Sequence, residues 1–269
     1  MRLLVGAWTK SATLCALYVI SLAPLTVACT AAAADEIRVL SSGAPAEIVK
    51  HLAAKFAPES GHRVLITVAN PAAIQQKLAG GETPDIVIIP APIIESLAKS
   101  GTLLAGSKID LARVGVGVVV RERAPLPDIS TVDAVRKALT DARSIVYPDP
   151  AGGGQTGAAL TRMIDRMGLA EMVKPKLTLR QAIAGGVALV AGGEAEIGMF
   201  NISEILPVGG VTLVGPLPPE LQSYIVFAAA IHARSASPAP ARALIEAMAD
   251  PAAREQWKAG GLESVRGGS

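Results

Sequence analysis

Four short polar turns carry the residue types best suited to chemistry, and the chemistry they suit is the capture of an anion. Ser42-Gly43, Asn70-Pro71, Gly154-Gln155-Thr156 and Arg180-Gln181 each stand between a β-branched run and a stretch with helical spacing. A helix start offers unpaired N–H groups and a partial positive charge. Several starts aimed at one point hold an anion without any cationic side chain. Ser42 and Asn70 also suit the plainer duty of helix caps, on the order of 1 kcal/mol each, and the two duties are compatible. Arg180, if it faces such a site, would pair bidentately with a carboxylate; it equally suits a solvated surface. Tyr147 and Tyr224 each have a hydroxyl for a cleft or a ring for a core.

Other motifs point away from familiar enzymes. Gly152-Gly153-Gly154-Gln155-Thr156-Gly157 formally satisfies the dinucleotide fingerprint G-x-G-x-x-G. Pro148 and Pro150 lengthen that turn, however, and the next strand ends at Arg180 where the fingerprint wants an acid. No Lys-Ser or Lys-Thr follows the glycines, so the loop is not a P-loop either. A glycine-rich loop lending backbone N–H groups to a small anion fits better. There is no G-x-S-x-G and no H-E-x-x-H, and His51, His62 and His232 are scattered. Glu194 and Glu196, one residue apart at a strand entry, have a spacing more often structural than catalytic. No His, Asp or Glu cluster has metal-ligand spacing, and no metal or cofactor is expected.

The elements that must position these turns alternate. Strands are expected at 37–40, 63–68, 85–89, 114–120, 144–147, 177–179, 197–200 and 225–231. Helices are expected at 45–56, 72–78, 92–99, 156–167, 183–191, 238–248 and 251–259. The apolar run at 85–89 suits a strand buried on both faces of a parallel sheet. Strand-helix alternation of this density means an α/β architecture. Two such sheets imply two lobes and a cleft.

The first 34 residues set the compartment. Arg2 and Lys10 precede an uncharged stretch from Ser11 to Ala34, which ends in Ala32-Ala33-Ala34 before Asp35, the first carboxylate. That is the pattern of a secretory signal peptide. An uncleaved membrane anchor and a lipidated Cys29 are the alternatives. Export removes ATP, NAD and nucleic acid from the list of ligands. Two of the 25 basic residues lie in the leader, so 23 basic face 23 acidic in the remainder, which argues against a nucleic-acid footprint. Cys15 and Cys29 also lie there, leaving no thiol chemistry beyond it. Trp257 is the sole tryptophan past the leader, which disfavours a large carbohydrate ligand.

Several segments together resemble the molybdate-type periplasmic solute-binding proteins. They are Gly192-Gly193-Glu194-Ala195-Glu196-Ile197-Gly198 with 201–207 following, Gly80–Ile88, Ser41-Ser42, and Tyr147-Pro148-Asp149-Pro150. The resemblance covers residues 35–260 and implies the type II periplasmic-binding-protein fold. That fold has two lobes, each a mainly parallel sheet with flanking helices, joined by two crossover strands near 114–120 and 225–231. Lobe I would then comprise 35–120 and 223–269, and lobe II 121–222. It further implies a periplasmic monomer whose cleft closes on a small anion by a hinge and which docks on an ABC-type permease. No nucleic acid is expected, and membrane contact only through Cys29 or an uncleaved leader. The implied ligand-binding residues are Ser41, Ser42, Asn70, Tyr147, Gly154, Gln155, Thr156, Arg180 and Asn201.

The sequence departs from that family at two points. Ala69-Asn70-Pro71-Ala72 stands where molybdate binders carry a second serine-rich turn, and Asn201 stands where many have a tyrosine. An Asn side chain donates or accepts, so it serves a carboxylate as readily as an oxyanion. The resemblance therefore leaves two readings open. One is a binding protein for molybdate or a small carboxylate. The other is a secreted isomerase on the same fold acting on a small tricarboxylate such as aconitate, with Glu204, Tyr147 or a histidine moving the proton.

Overall fold

The computed structural model describes residues 36–152 and 155–265. The leader, with Cys15 and Cys29, lies outside them. Eleven strands run in chain order: β1 (Glu36–Ser41), β2 (Arg63–Val68), β3 (Ile86–Pro90), β4 (Ile109–Val114), β5 (Val116–Arg121), β6 (Ile145–Tyr147), β7 (Leu177–Leu179), β8 (Ile197–Asn201), β9 (Val211–Pro216), β10 (Ile225–Ile231) and β11 (Glu263–Ser264). They form two sheets. One has the order β11-β4-β10-β3-β1-β2, the other β7-β6-β8-β5-β9.

Each sheet has a parallel core with antiparallel additions. β1 pairs in parallel with β2, Val39 opposite Ile66, and with β3, Leu40 opposite Val87. β6 likewise lies parallel to β7 and β8. β10 runs against both β3 and β4, and β5 against both β8 and β9. The sheets are therefore mixed, because the strands that carry the chain between them return in the opposite sense.

The apolar run at 114–120 is not one strand. It breaks at Gly115, with β4 in the first sheet and β5 in the second. Gln222, on the returning segment, braces that break. Its Oε1 accepts from the Val116 and Ser223 N–H groups, and its Nε2 donates to the Val116 carbonyl at 3.0 Å. A side chain at 115 would press on Gln222, about 3.0 Å from where its Cβ would sit. The helix expected over 183–191 is also divided. A 3-10 turn, Ala182–Ala184, is followed by left-handed Gly185 and then by helix Gly186–Gly192.

Packing follows the strand patterns. All five residues of β3 are buried, as expected for a strand covered on both faces. On one side of the first sheet Ile37, Val39, Ile86 and Ile88 meet Val49, Leu244 and Trp257. On the other, Leu40, Val87 and Ile89 meet Ile74 and Ile94. Val118, Ile145 and Met199 face Leu160 and Ile164 in the second sheet, while Val119, Val146 and Phe200 face Val187 and Val190. Each fully buried large side chain is worth about 1.5–3 kcal/mol.

One buried carboxylate ties the ends of the first sheet's chain together. Asp85 is 1% exposed. Its Oδ2 accepts from the Arg38 N–H, and its Oδ1 from Ser235 Oγ and the N–H groups of Ala236 and Ser237.

Candidate functional site

The parallel strands of the two sheets end around a small cavity of about 40 Å³. Ligands of open α/β sheets sit beyond the carboxyl ends of the strands, and the sequence places its polar turns there. Ser42, Gly43, Asn70 and Pro71 line the cavity from the first sheet, with Phe227 of β10. Gln155, Thr156, Asn201 and Glu204 line it from the second, with Pro148, Gln181 and Ile183. A space of this size has room for about three water molecules, so a larger ligand requires the two walls to part.

Three long helices begin at the cavity, Gly43–Ser60, Pro71–Ala79 and Gln155–Arg166, and Pro90 and Asn201, the N-caps of helices Ala91–Lys99 and Ile202–Ile205, also line it. Among the described residues that line it there is no Lys, Arg or His, and Glu204 is the only ionisable group. Attraction for an anion must therefore come from the helix starts and the neutral donors.

The expected residues separate into three groups. Ser42, Asn70, Gln155, Thr156 and Asn201 all line the cavity. Ser42 occupies the N-cap position of its helix but makes no side-chain cap bond, and its hydroxyl lies 3.3 Å from the Ile88 carbonyl. Asn70 caps its helix through Oδ1, which accepts from the Ala73 N–H at 2.8 Å. Its amide nitrogen has no hydrogen bond among the described residues.

Ser41, Tyr147 and Arg180 do not line the cavity. The Ser41 hydroxyl donates to the Ser42 carbonyl at 3.0 Å, and the residue is fully buried. The Tyr147 ring belongs to the core of the second sheet, with its hydroxyl 3.2 Å from Thr161 Oγ1. Burial raises the Tyr147 phenol above its ordinary range. Arg180 is exposed. Its place toward the cavity is taken by the next residues, Gln181 and Ile183. Gly154 falls outside the described residues.

Asn201 and Thr156 are engaged with one another and with a third residue. Thr156 Oγ1 donates to Asn201 Oδ1 at 2.9 Å, and Asn201 Nδ2 donates to Glu204 Oε2 at 2.8 Å. The amide expected to serve a ligand directly instead holds a carboxyl group beside the ligand space. Burial pushes the Glu204 carboxyl up to about 7, while hydrogen bonds from the Asn201 amide and backbone pull the other way. Desolvation wins because only the two Asn201 groups, and no cation among the described residues, stand against it.

Glu204 reaches across the cleft. A side chain at Gly43 would place its Cβ 2.9 Å from Glu204 Oε1 and 2.5 Å from Ile183 Cγ2. Two residues of the second wall thus close on the start of a first-wall helix, and glycine is what lets them in. The sequence signal for Glu204 was its spacing. Asn201 and Glu204 stand at the cap and third positions of the short helix Ile202–Ile205, the pattern of a capping box, which folds a carboxylate back toward the strand end.

A family model described as bacterial extracellular solute-binding protein matches residues 37–263. The chain is 32% identical to an aconitate isomerase of Pseudomonas sp over 85% of this chain and 88% of the relative. It is 28% identical to the molybdate-binding protein ModA of Azotobacter vinelandii over 90% of this chain and 95% of that one. The solved structure of the Azotobacter vinelandii periplasmic molybdate-binding protein superposes with a TM-score of 0.72 at 21% identity, covering 84% of this chain and 98% of that one.

This chain belongs to the bacterial extracellular solute-binding proteins, in the branch that resembles molybdate-type binders. Its two mixed sheets with flanking helices are the two-lobed α/β fold of such proteins.

Proposed function

We propose that the cleft takes a small carboxylate-bearing anion in the periplasm and that Glu204 moves a proton on it, which makes the protein an isomerase of the aconitate type. The observation that carries this reading is the Glu204 carboxyl itself, poised near neutrality inside a cavity with no cation. A general base works best when its affinity for protons matches the working pH. The 32% identity to an aconitate isomerase supports the same reading. Export through the leader at residues 1–34 belongs to it.

The step balances without a co-reactant. Ionised Glu204 takes a proton from the methylene of an unsaturated tricarboxylate, and the C–H electron pair joins the allylic system. The double bond shifts by one carbon, and the same carboxyl returns the proton to the far end. The negative charge of the intermediate spreads onto a substrate carboxylate, which the helix starts and the Asn70 amide are placed to receive.

The decisive experiment follows cis-aconitate by proton NMR in deuterated water. Appearance of trans-aconitate with solvent deuterium in the product supports the proposal, and Glu204→Gln should then slow conversion by about 10²–10⁴. Binding of cis-aconitate without conversion would overturn it.

One observation favours a second reading, a binding protein that delivers an anion to an ABC-type importer. Three helix starts around a cavity without cations also suit an oxyanion, and the ModA relative points the same way. Against it stands Glu204, a titratable group in the cavity lining that a purely binding role leaves without a task. A thermal shift with molybdate or tungstate but not with tricarboxylates would select this reading.

A further inference from the structure

We propose that the cleft binds its anion together with one proton, carried on Glu204 Oε1 and presented to the ligand. This rests on the cavity being the anion site, but not on any turnover there; the isomerisation proposed above starts from the fraction of complexes in which Glu204 has given up that proton. Three features of geometry carry it. First, an anion entering this cavity meets a carboxyl group and no balancing cation among the described lining residues. Second, Asn201 Nδ2 is a donor to Glu204 Oε2, and Thr156 fixes that amide by donating to its oxygen. A proton on Glu204 therefore belongs on Oε1. Third, Oε1 is the oxygen that faces Gly43 across the cleft, where an anion at the helix start would lie.

No charged side chain of the described residues acts on Glu204. The elements packed against its short helix are helix Gly43–Ser60, the turn Ala182–Ala184, strands β5, β8 and β9, and the turn at Gly261, where Arg254 and Lys258 line a groove with Ile202. Charged residues on them point elsewhere: Glu47 and Lys50 pair with each other, and Arg121 faces Gly193. His51 lies on an exposed part of the first helix, as do Lys55 and Glu59.

Linkage then fixes the pH behaviour. Burial holds the Glu204 carboxyl near 7 in the unliganded protein, and an anion beside it moves it further up. Between those limits binding takes up a proton. Below them both states already carry it, and well above them neither does.

Calorimetric titration in buffers of different ionisation enthalpy counts the proton directly. We would use molybdate, which itself does not titrate between about pH 6 and 8, and tricarballylate, which has no double bond to isomerise. At about pH 8 the wild type should take up most of one proton per bound anion more than Glu204→Gln does. Above about pH 7 wild-type affinity should fall toward tenfold per pH unit, while that of Glu204→Gln stays level.

Equal uptake in the two proteins overturns the inference. Wild-type binding of molybdate with no uptake at about pH 8 overturns it without recourse to a variant. Failure of both anions to bind overturns it together with the proposed function. Proton uptake without conversion of cis-aconitate sinks only the isomerase.

Discussion

Two carboxyl groups in this protein, Asp85 buried and Glu204 half-buried, live in opposite circumstances. Asp85, at the base of the first sheet, accepts from four donors at distances between 2.6 and 3.2 Å. Glu204, at the cleft, has one side-chain amide on Oε2. Neither has a cation against it. The first is saturated with donors and serves the fold, since every lone pair it lost from water is replaced. The second is starved of donors, which leaves its proton available for exchange. Counting donors thus separates a carboxyl that anchors from the one proposed to exchange its proton, and residue type alone does not.

The largest effect should come from removing the anchor. Asp85→Ala leaves a serine hydroxyl and three backbone N–H groups without their acceptor, and should cost about 3 kcal/mol or more. Urea unfolding would measure it; a loss under about 1 kcal/mol would erase the contrast. Anion affinity of the folded fraction should be unchanged.

Next comes the pH dependence of the starved carboxyl. Glu204 is raised in the folded state, to about 7, above an unfolded value near 4.3. At intermediate pH the folded state binds more protons than the unfolded one, so stability falls as pH rises between those values. The drop should be on the order of 2 kcal/mol in the wild type and absent in Glu204→Gln. Parallel stability curves for the two proteins would remove Glu204 from the comparison.

A smaller effect tests what surrounds it. Gly43→Ala should leave unliganded stability within about 1 kcal/mol, because alanine favours a helix. Its Cβ would nevertheless intrude on Glu204 Oε1 and Ile183, and anion affinity should fall by about tenfold, equivalent to 1.4 kcal/mol. Unchanged affinity would mean that the cleft closes some other way. The smallest change is Thr156→Val, which removes the hydroxyl that orients Asn201. It should cost about 1 kcal/mol of stability and raise the pH at which Glu204 gives up its proton, because the freed amide can turn away from the carboxylate it helps to ionise. A pH profile identical to wild type would make Thr156 merely a packing residue.

Much of the architecture was legible in the sequence. Where the pattern changed from period two to helical spacing, elements formed, because one face had to be buried. The division at Gly115 was not legible, since β-branched residues continue on both sides of it and only pairing partners reveal the change of sheet. Helix Val132–Asp141 went unnoticed although Thr131 caps it, with Val135 and Leu139 buried. Site residues next to a strand end were within reach, as Ser42, Asn70 and Thr156 illustrate. Tyr147 and Arg180 were not, because whether a side chain turns inward or outward is decided by neighbours far away in sequence. Glu204 was named only among candidate proton carriers. Its local spacing gave its address, but its starvation of donors is a property of the assembled walls.

The strand order has a consequence for time. β10, residues 225–231, lies in the middle of the first sheet, between β4 and β3, whereas every strand of the second sheet falls between residues 116 and 216. As the chain emerges from a ribosome or a membrane channel, the second sheet has all its strands first. The first must wait, with β1 to β4 already out and their central partner missing. Asp85 waits as well, because three of its four donors belong to residues 235–237. The first sheet therefore closes only when nearly the last segment arrives.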